Sequence, residues 1–175
     1  PDLLNELLTS LQRRNRELAD KYSLSAPRPL LLKIAPDLSE DELRAIIAVA
    51  QEHKVSGIIA TNTTVNREGL QTSKTRVAEI GEGGVSGAPL QNRSNEIIRM
   101  IYRLTDGTMP IVGVGGVFTA EDAWEKISAG ARLIQIYTGF IYEGPSIARR
   151  INEGLRQIVS KKGFVSLDEA VGCRA

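Results

Sequence analysis

The stretch Pro110–Phe118 reads PIVGVGGVF, a short apolar run interrupted by Gly113, Gly115 and Gly116. Glycine costs a strand backbone entropy and packs nothing, so three of them so close together require a reason. The next residues supply a context for one. Thr119 opens a helical pattern, TAEDAWEKISAG, that Gly130 stops, an N-cap and a C-terminal stop of the usual kinds. An apolar strand that ends in glycines and feeds a helix is the repeating half of a parallel β/α unit.

The same alternation runs outward in both directions. LLLKIAP (Leu30–Pro36) is an apolar run bounded by prolines and predicts a buried strand. In the SEDELRAIIAVAQEH that follows, Ser39 and Glu42 form a capping box, and Leu43, Ile46, Ile47 and Ala50 supply an apolar face. GIIATN (Gly57–Asn62) predicts the next strand, and NRSNEIIRMIYRL a helix with Ile97, Ile98, Ile101 and Leu104 inward. LIQIYTG (Leu133–Gly139) predicts a fourth strand, followed by a long amphipathic helix ending at Gly163. Residues 2–20 carry Leu3, Leu4, Leu7, Leu8, Leu11 and Leu18 on one helical face, and SAPRP breaks that helix. SLDEAVG predicts a short terminal helix with Ser166 and Glu169 as a second capping box. Between Thr63 and Leu90 there are five glycines and no steady period, and a loop of that length in a compact domain usually serves function.

Strand then helix, repeated four times, predicts an α/β fold of right-handed parallel units. All four strands are apolar rather than alternating, as expected when both faces of a sheet are covered. Four units make half of a (β/α)8 TIM barrel or a small open doubly wound sheet. The 22 basic and 21 acidic residues leave a net charge of +1, which gives no basic face for nucleic acid. A single cysteine, Cys173, rules out an internal disulfide and suits a reducing compartment. No run is long and apolar enough to cross a bilayer. No carboxylate pair, Ser-His-Asp set or metal-ligand spacing stands out, and no metal is expected.

Chemistry in parallel α/β folds sits at the carboxyl ends of strands. Here those ends carry Lys33, Thr61-Asn62-Thr63, Gly113–Gly116 and Tyr137-Thr138-Gly139. Gly115 and Gly116 can bring bare backbone N–H groups against an anion, and the turn at Gly139 can do the same. Two adjacent loops of this kind match the phosphate site of many (β/α) barrels. Tight turning of the chain is the plain alternative. Lys33 is the only charge in its apolar run, so it is expected to meet an anion or cofactor. It is read as a stabiliser of negative charge on a bound ring, as a Schiff-base lysine, or as a side chain snorkelling from a strand end. Asn62 offers an acceptor and two donors, suited to a planar amide or carboxylate or simply to capping a loop. Gly87, in GGVSGAPL, lets main chain approach a flat ring or makes a turn.

Taken in series, KIAPDLS, IIATNTT, GGVSGAPL, PIVGVGGV and IQIYTGFIYEGP resemble the C-terminal half of the dihydroorotate dehydrogenase family, flavin enzymes of pyrimidine synthesis. The KIAPD wording resembles the class 2, membrane-associated, quinone-reducing branch. The resemblance implies that residues 1–175 are the C-terminal half of one FMN-binding (β/α)8 barrel domain. It implies that Lys33 lies beside the flavin, where its charge favours the reduced, anionic ring. Thr61, Gly87, Gly115, Gly116, Tyr137, Thr138 and Gly139 are then cofactor contacts, and Asn62 and Thr63 hold the substrate. Tyr137, Phe140, Ile141 and Pro145 become walls of a quinone tunnel.

The implied activity is oxidation of dihydroorotate to orotate, with hydride passed to FMN and electrons to ubiquinone. The family's base, a serine in the first half of the barrel, has no match in this chain. Its first-half flavin loop and membrane-docking helices have none either, and they are expected outside it. The implied location is peripheral: the mitochondrial inner membrane for a eukaryotic source, the bacterial inner membrane otherwise. Other readings are a phosphate-binding aldolase or isomerase barrel using Lys33 as Schiff base, and a non-catalytic half-barrel module.

Overall fold

The computed structural model describes residues 2–175. Helix α1 (Asp2–Lys21) leads into four β/α units. Strand β1 (Leu31–Ile34) is followed by α2 (Glu40–Glu52), and β2 (Gly57–Ala60) by α3 (Lys74–Ile80), a 3-10 turn (Ala88–Leu90) and α4 (Gln91–Leu104). Strand β3 (Ile111–Val114) precedes α5 (Ala120–Ser128), and β4 (Leu133–Gln135) precedes α6 (Thr138–Glu143), α7 (Ile147–Lys161) and α8 (Leu167–Ala170).

The strands form one parallel sheet in the order β1-β2-β3-β4. The register sets Lys33 beside Ile59, Ile59 beside Val112, and Val112 beside Leu133, a single row across one face. Side chains alternate across a strand, so this row and its opposite meet different surroundings. Ile34, Ile58, Ala60 and Ile111 face the helices and pack with Leu43, Ile47, Ile97, Ile98 and Ile101. A second cluster joins α5 to α7 through Ala123, Trp124, Ile127, Ile147, Ile151 and Leu155. The opposite face is open, with Leu31, Lys33, Leu133 and Gln135 exposed. Within this chain the apolar strands have an outer face covered by helices and an inner face left open.

Several local expectations hold. Ser39 caps α2 and Glu42 reaches back to its amide. Thr119 and Asp122 do the same for α5. Others change. Glu169 accepts from the Val165 amide while Ser166 makes no side-chain cap, so the second capping box is absent. The fourth strand stops at Gln135, and Tyr137 becomes the N-cap of α6, with Gly139 inside its first turn. The segment from Thr63 to Leu90 contains α3 and the 3-10 turn and is pinned by paired backbone bonds between Thr64 and Val85. On α1, Leu8 is buried while Leu3, Leu7 and Leu11 are exposed.

Candidate functional site

The carboxyl ends of all four strands converge on one cleft of about 220 Å³. Lys33 enters it from β1, and Thr61, Asn62 and Thr63 from the end of β2. Gly87 closes it from the long loop, Gly115 and Gly116 from the end of β3, and Tyr137, Thr138 and Gly139 from the start of α6. The residues singled out from the sequence for cofactor and substrate thus line a single cleft. Phe140, Ile141 and Pro145 lie next to it on α6 and beyond, exposed and outside the cleft lining.

The three glycines of PIVGVGG have different jobs. A Cβ on Gly113 would lie 3.0 Å from the Ala131 Cβ and 3.2 Å from the Ile98 Cδ1 and the Lys126 Cβ. That glycine lets α4 and α5 close on the sheet. Gly116 has φ +68°, and a Cβ there would fall 2.5 Å from the Gln91 Cβ. Both the left-handed backbone and the contact with the start of α4 demand glycine.

The turn leaves main-chain donors open. Among the described residues, the amides of Gly115, Gly116, Val117, Thr138 and Gly139 find no acceptor. Unpaired backbone N–H groups at a buried or half-buried rim are expensive unless a ligand or water accepts from them. The long loop is tied to the same rim. The Thr138 hydroxyl donates to the Ser86 Oγ at 2.9 Å, and a Cβ on Gly87 would lie 3.1 Å from the Thr138 Cγ2.

Thr61 is buried, and its amide donates to the Val114 carbonyl at 3.0 Å. Asn62 donates its own amide to the Ile34 carbonyl at 2.7 Å, which leaves its exposed side chain at the cleft. Lys33 stands on the inner face, in the open row, with its side chain exposed at the cleft. The long loop is anchored from below by Asp37, which accepts from the Thr64 hydroxyl and the Val65 amide. A buried lysine exists elsewhere: Lys126 on α5, which nothing in the sequence pattern separates from an ordinary helix charge.

Comparison with known proteins agrees with this architecture. The family model described as dihydroorotate dehydrogenase matches residues 1–159. A Gloeobacter violaceus protein named dihydroorotate dehydrogenase (quinone) is 49% identical over 172 residues, covering 98% of this chain and 45% of that protein. A Roseiflexus castenholzii protein of the same name is 49% identical over 172 residues, with 98% and 44% covered. The crystal structure of Eimeria tenella DHODH in complex with ferulenol superposes with a TM-score of 0.88 at 34% identity, over 98% of this chain and 48% of that one. The chain therefore spans about half the length of the relatives it matches, and corresponds to their C-terminal half. Its four β/α units are half of a TIM barrel, and the chain belongs to the dihydroorotate dehydrogenase family.

Proposed function

We propose that the complete protein oxidises dihydroorotate to orotate in pyrimidine biosynthesis, with FMN as hydride acceptor and ubiquinone as the final oxidant. The observation that carries this reading is the cleft itself, where a cation, a cluster of neutral donors and a rim of unpaired amides face one space. In this reading residues 1–175 are the C-terminal half of one flavin-binding barrel domain.

The residues fit FMN at its phosphate end. A glycine rim with amides that lack acceptors suits a dianion, as backbone nests do elsewhere. FMN, when bound, supplies the redox chemistry, taking hydride from the substrate and passing electrons to the quinone. The chain supplies position and charge. The amides of Gly115, Gly116, Thr138 and Gly139 hold the phosphate, with Tyr137 beside them. Thr61 and the bare backbone of Gly87 border the ring. Lys33 places a positive charge where negative charge develops, an electrostatic role that needs no movement during reaction. Asn62 and Thr63 orient the substrate's planar amide and carboxylate groups. The base that takes the substrate proton comes from outside this chain.

The exposed apolar side chains of Tyr137, Phe140 and Ile141, with Pro145, form a wall for the quinone. The long loop, tied to the start of α6 through Ser86 and Gly87, helps to exclude water. No helix among the described residues is long and apolar enough to cross a membrane. Attachment to the bacterial or mitochondrial inner membrane is peripheral in this reading, through a region outside this chain. The Schiff-base alternative at Lys33 is not favoured by the family. The test is the visible spectrum of the complete protein under anaerobic conditions. A flavin band that bleaches on adding dihydroorotate without quinone is expected; a colourless protein, or a band that dihydroorotate leaves unchanged, overturns the proposal.

A further inference from the structure

Lys126 is fully buried between α5 and α4. Its ammonium donates to the Ser94 Oγ at 3.0 Å and to the Asn95 Oδ1 at 2.8 Å. Both partners are neutral. The charge acting on it is that of Asp122, on the same helix and not in an ion pair with it. That carboxylate is already engaged by the Phe118 and Thr119 amides and by the Gln91 side chain. A buried lysine without a contacting carboxylate is costly, and a methionine of similar reach would pack there at less cost. The polar arrangement must therefore do something that packing alone does not.

The hydrogen bonds lead to the cleft. Ser94 accepts from Lys126, so its single hydroxyl proton is left for another acceptor. It donates that proton to the Val114 carbonyl at 2.7 Å. The same carbonyl accepts the Thr61 amide at 3.0 Å. Val114 is the last residue of β3, and Thr61 follows the last residue of β2. A Cβ on Gly115 would lie 3.3 Å from the Ser94 Cβ, so Ser94 also stands directly under the glycine turn. One buried amino group and one carbonyl thus fix the direction of one hydroxyl, which joins two strand ends just where both turn into the site.

We propose that Lys126 and Ser94 are positioning residues that lock the carboxyl ends of β2 and β3 together, so that Thr61–Thr63 and Gly115–Gly116 face one ligand. The proposal rests on the flavin reading for the identity of that ligand, but not for the lock itself. Neither residue touches the cleft; both act through the Val114 carbonyl.

The test uses the complete protein and three variants: Ser94→Ala, Lys126→Met and Lys126→Gln. Hydrogen exchange is followed at the Thr61 amide and, as a reference, at helix amides of α4, without any ligand. In Ser94→Ala and Lys126→Met the Thr61 amide exchanges at least tenfold faster relative to the reference, and FMN retention falls at least tenfold. Lys126→Gln, which keeps a neutral donor, recovers most of both, whereas a packing role alone would favour methionine over glutamine. Should Lys126→Met fail to fold, Ser94→Ala, a far smaller change, decides alone. Unchanged relative exchange at Thr61 in Ser94→Ala, with FMN retention also unchanged, overturns the proposal. If the unaltered protein retains no FMN, the functional reading fails, while the exchange comparison still decides whether the lock exists.

Discussion

The outer and inner faces of the sheet are built from similar residues and meet opposite surroundings. On the outer side Ile58 and Ile111 are fully buried under α2 and α4, while on the inner side Leu31 and Leu133 remain 39% and 65% exposed. The same contrast separates two lysines. Lys126, behind the sheet, is sealed and hydrogen-bonded, and Lys33, in front of it, is exposed and free to meet a ligand. Apolar composition says that a face is made to be covered; it does not say by what. Here the outer cover is the chain's own helices; in the proposed reading the inner cover is the rest of the barrel and its cofactor.

Breaking the comparison at its weakest point gives the largest effect. These 175 residues expressed alone should show no cooperative thermal transition by circular dichroism, because the inner row and the edges of β1 and β4 are bare. A sharp transition would mean that the inner face finds cover without its other half. Next comes Lys33→Ala in the complete protein. Anaerobic stopped-flow reduction by dihydroorotate should slow by about 100-fold, the scale of losing one preorganised electrostatic group. Stability should stay within about 0.5 kcal/mol, as for an exposed side chain. Unchanged reduction kinetics would remove Lys33 from the mechanism.

Gly116→Ala presses on the other wall. The strained φ and the clash with Gln91 should cost about 1–3 kcal/mol in denaturant unfolding, and FMN should be lost on dialysis. Lys126 adds a pH signature to the outer face. Desolvation by burial lowers its pKa from 10.5 to about 7, and Asp122 pulls in the opposite direction. Between those values the unfolded chain holds a proton that the folded chain has released. The contribution to stability therefore rises with pH through that window and is flat below it. Lys126→Met should remove this slope in urea titrations from pH 7 to 10. The smallest effect belongs to Ser39→Ala, which removes an exposed cap worth about 1 kcal/mol. Glu42, held below the usual carboxylate range by the Ser39 amide and hydroxyl, contributes above its unfolded pKa and ceases to do so as the pH falls through its folded one.

Much of this was legible before the structure. The alternation of apolar runs with capped helices gave the parallel order, and the convergence of Lys33, Asn62, Gly116 and Thr138 followed from their shared position at strand ends. Three things were not legible, each for a physical reason. The exposure of Lys33 depends on which face of β1 is covered, and that is decided by segments far away in the chain. The short helix α6 begins where LIQIYTG predicts the end of a strand, because Tyr137, Phe140 and Ile141 carry strand preference that tertiary contacts override. Lys126 sits in EDAWEK, where its charge spacing looks like any solvated helix face. Only Gly113, opposite it, marks how closely that helix approaches the sheet.

The central claim is that the unpaired amides after β3 and at the start of α6 hold a phosphate. Its most direct measurement is calorimetric titration of the flavin-free complete protein with FMN and with riboflavin, which lacks the phosphate. FMN should bind at least 100-fold more tightly, about 2.7 kcal/mol or more, and Gly116→Ala should erase most of that difference. Equal affinity for the two flavins would contradict it.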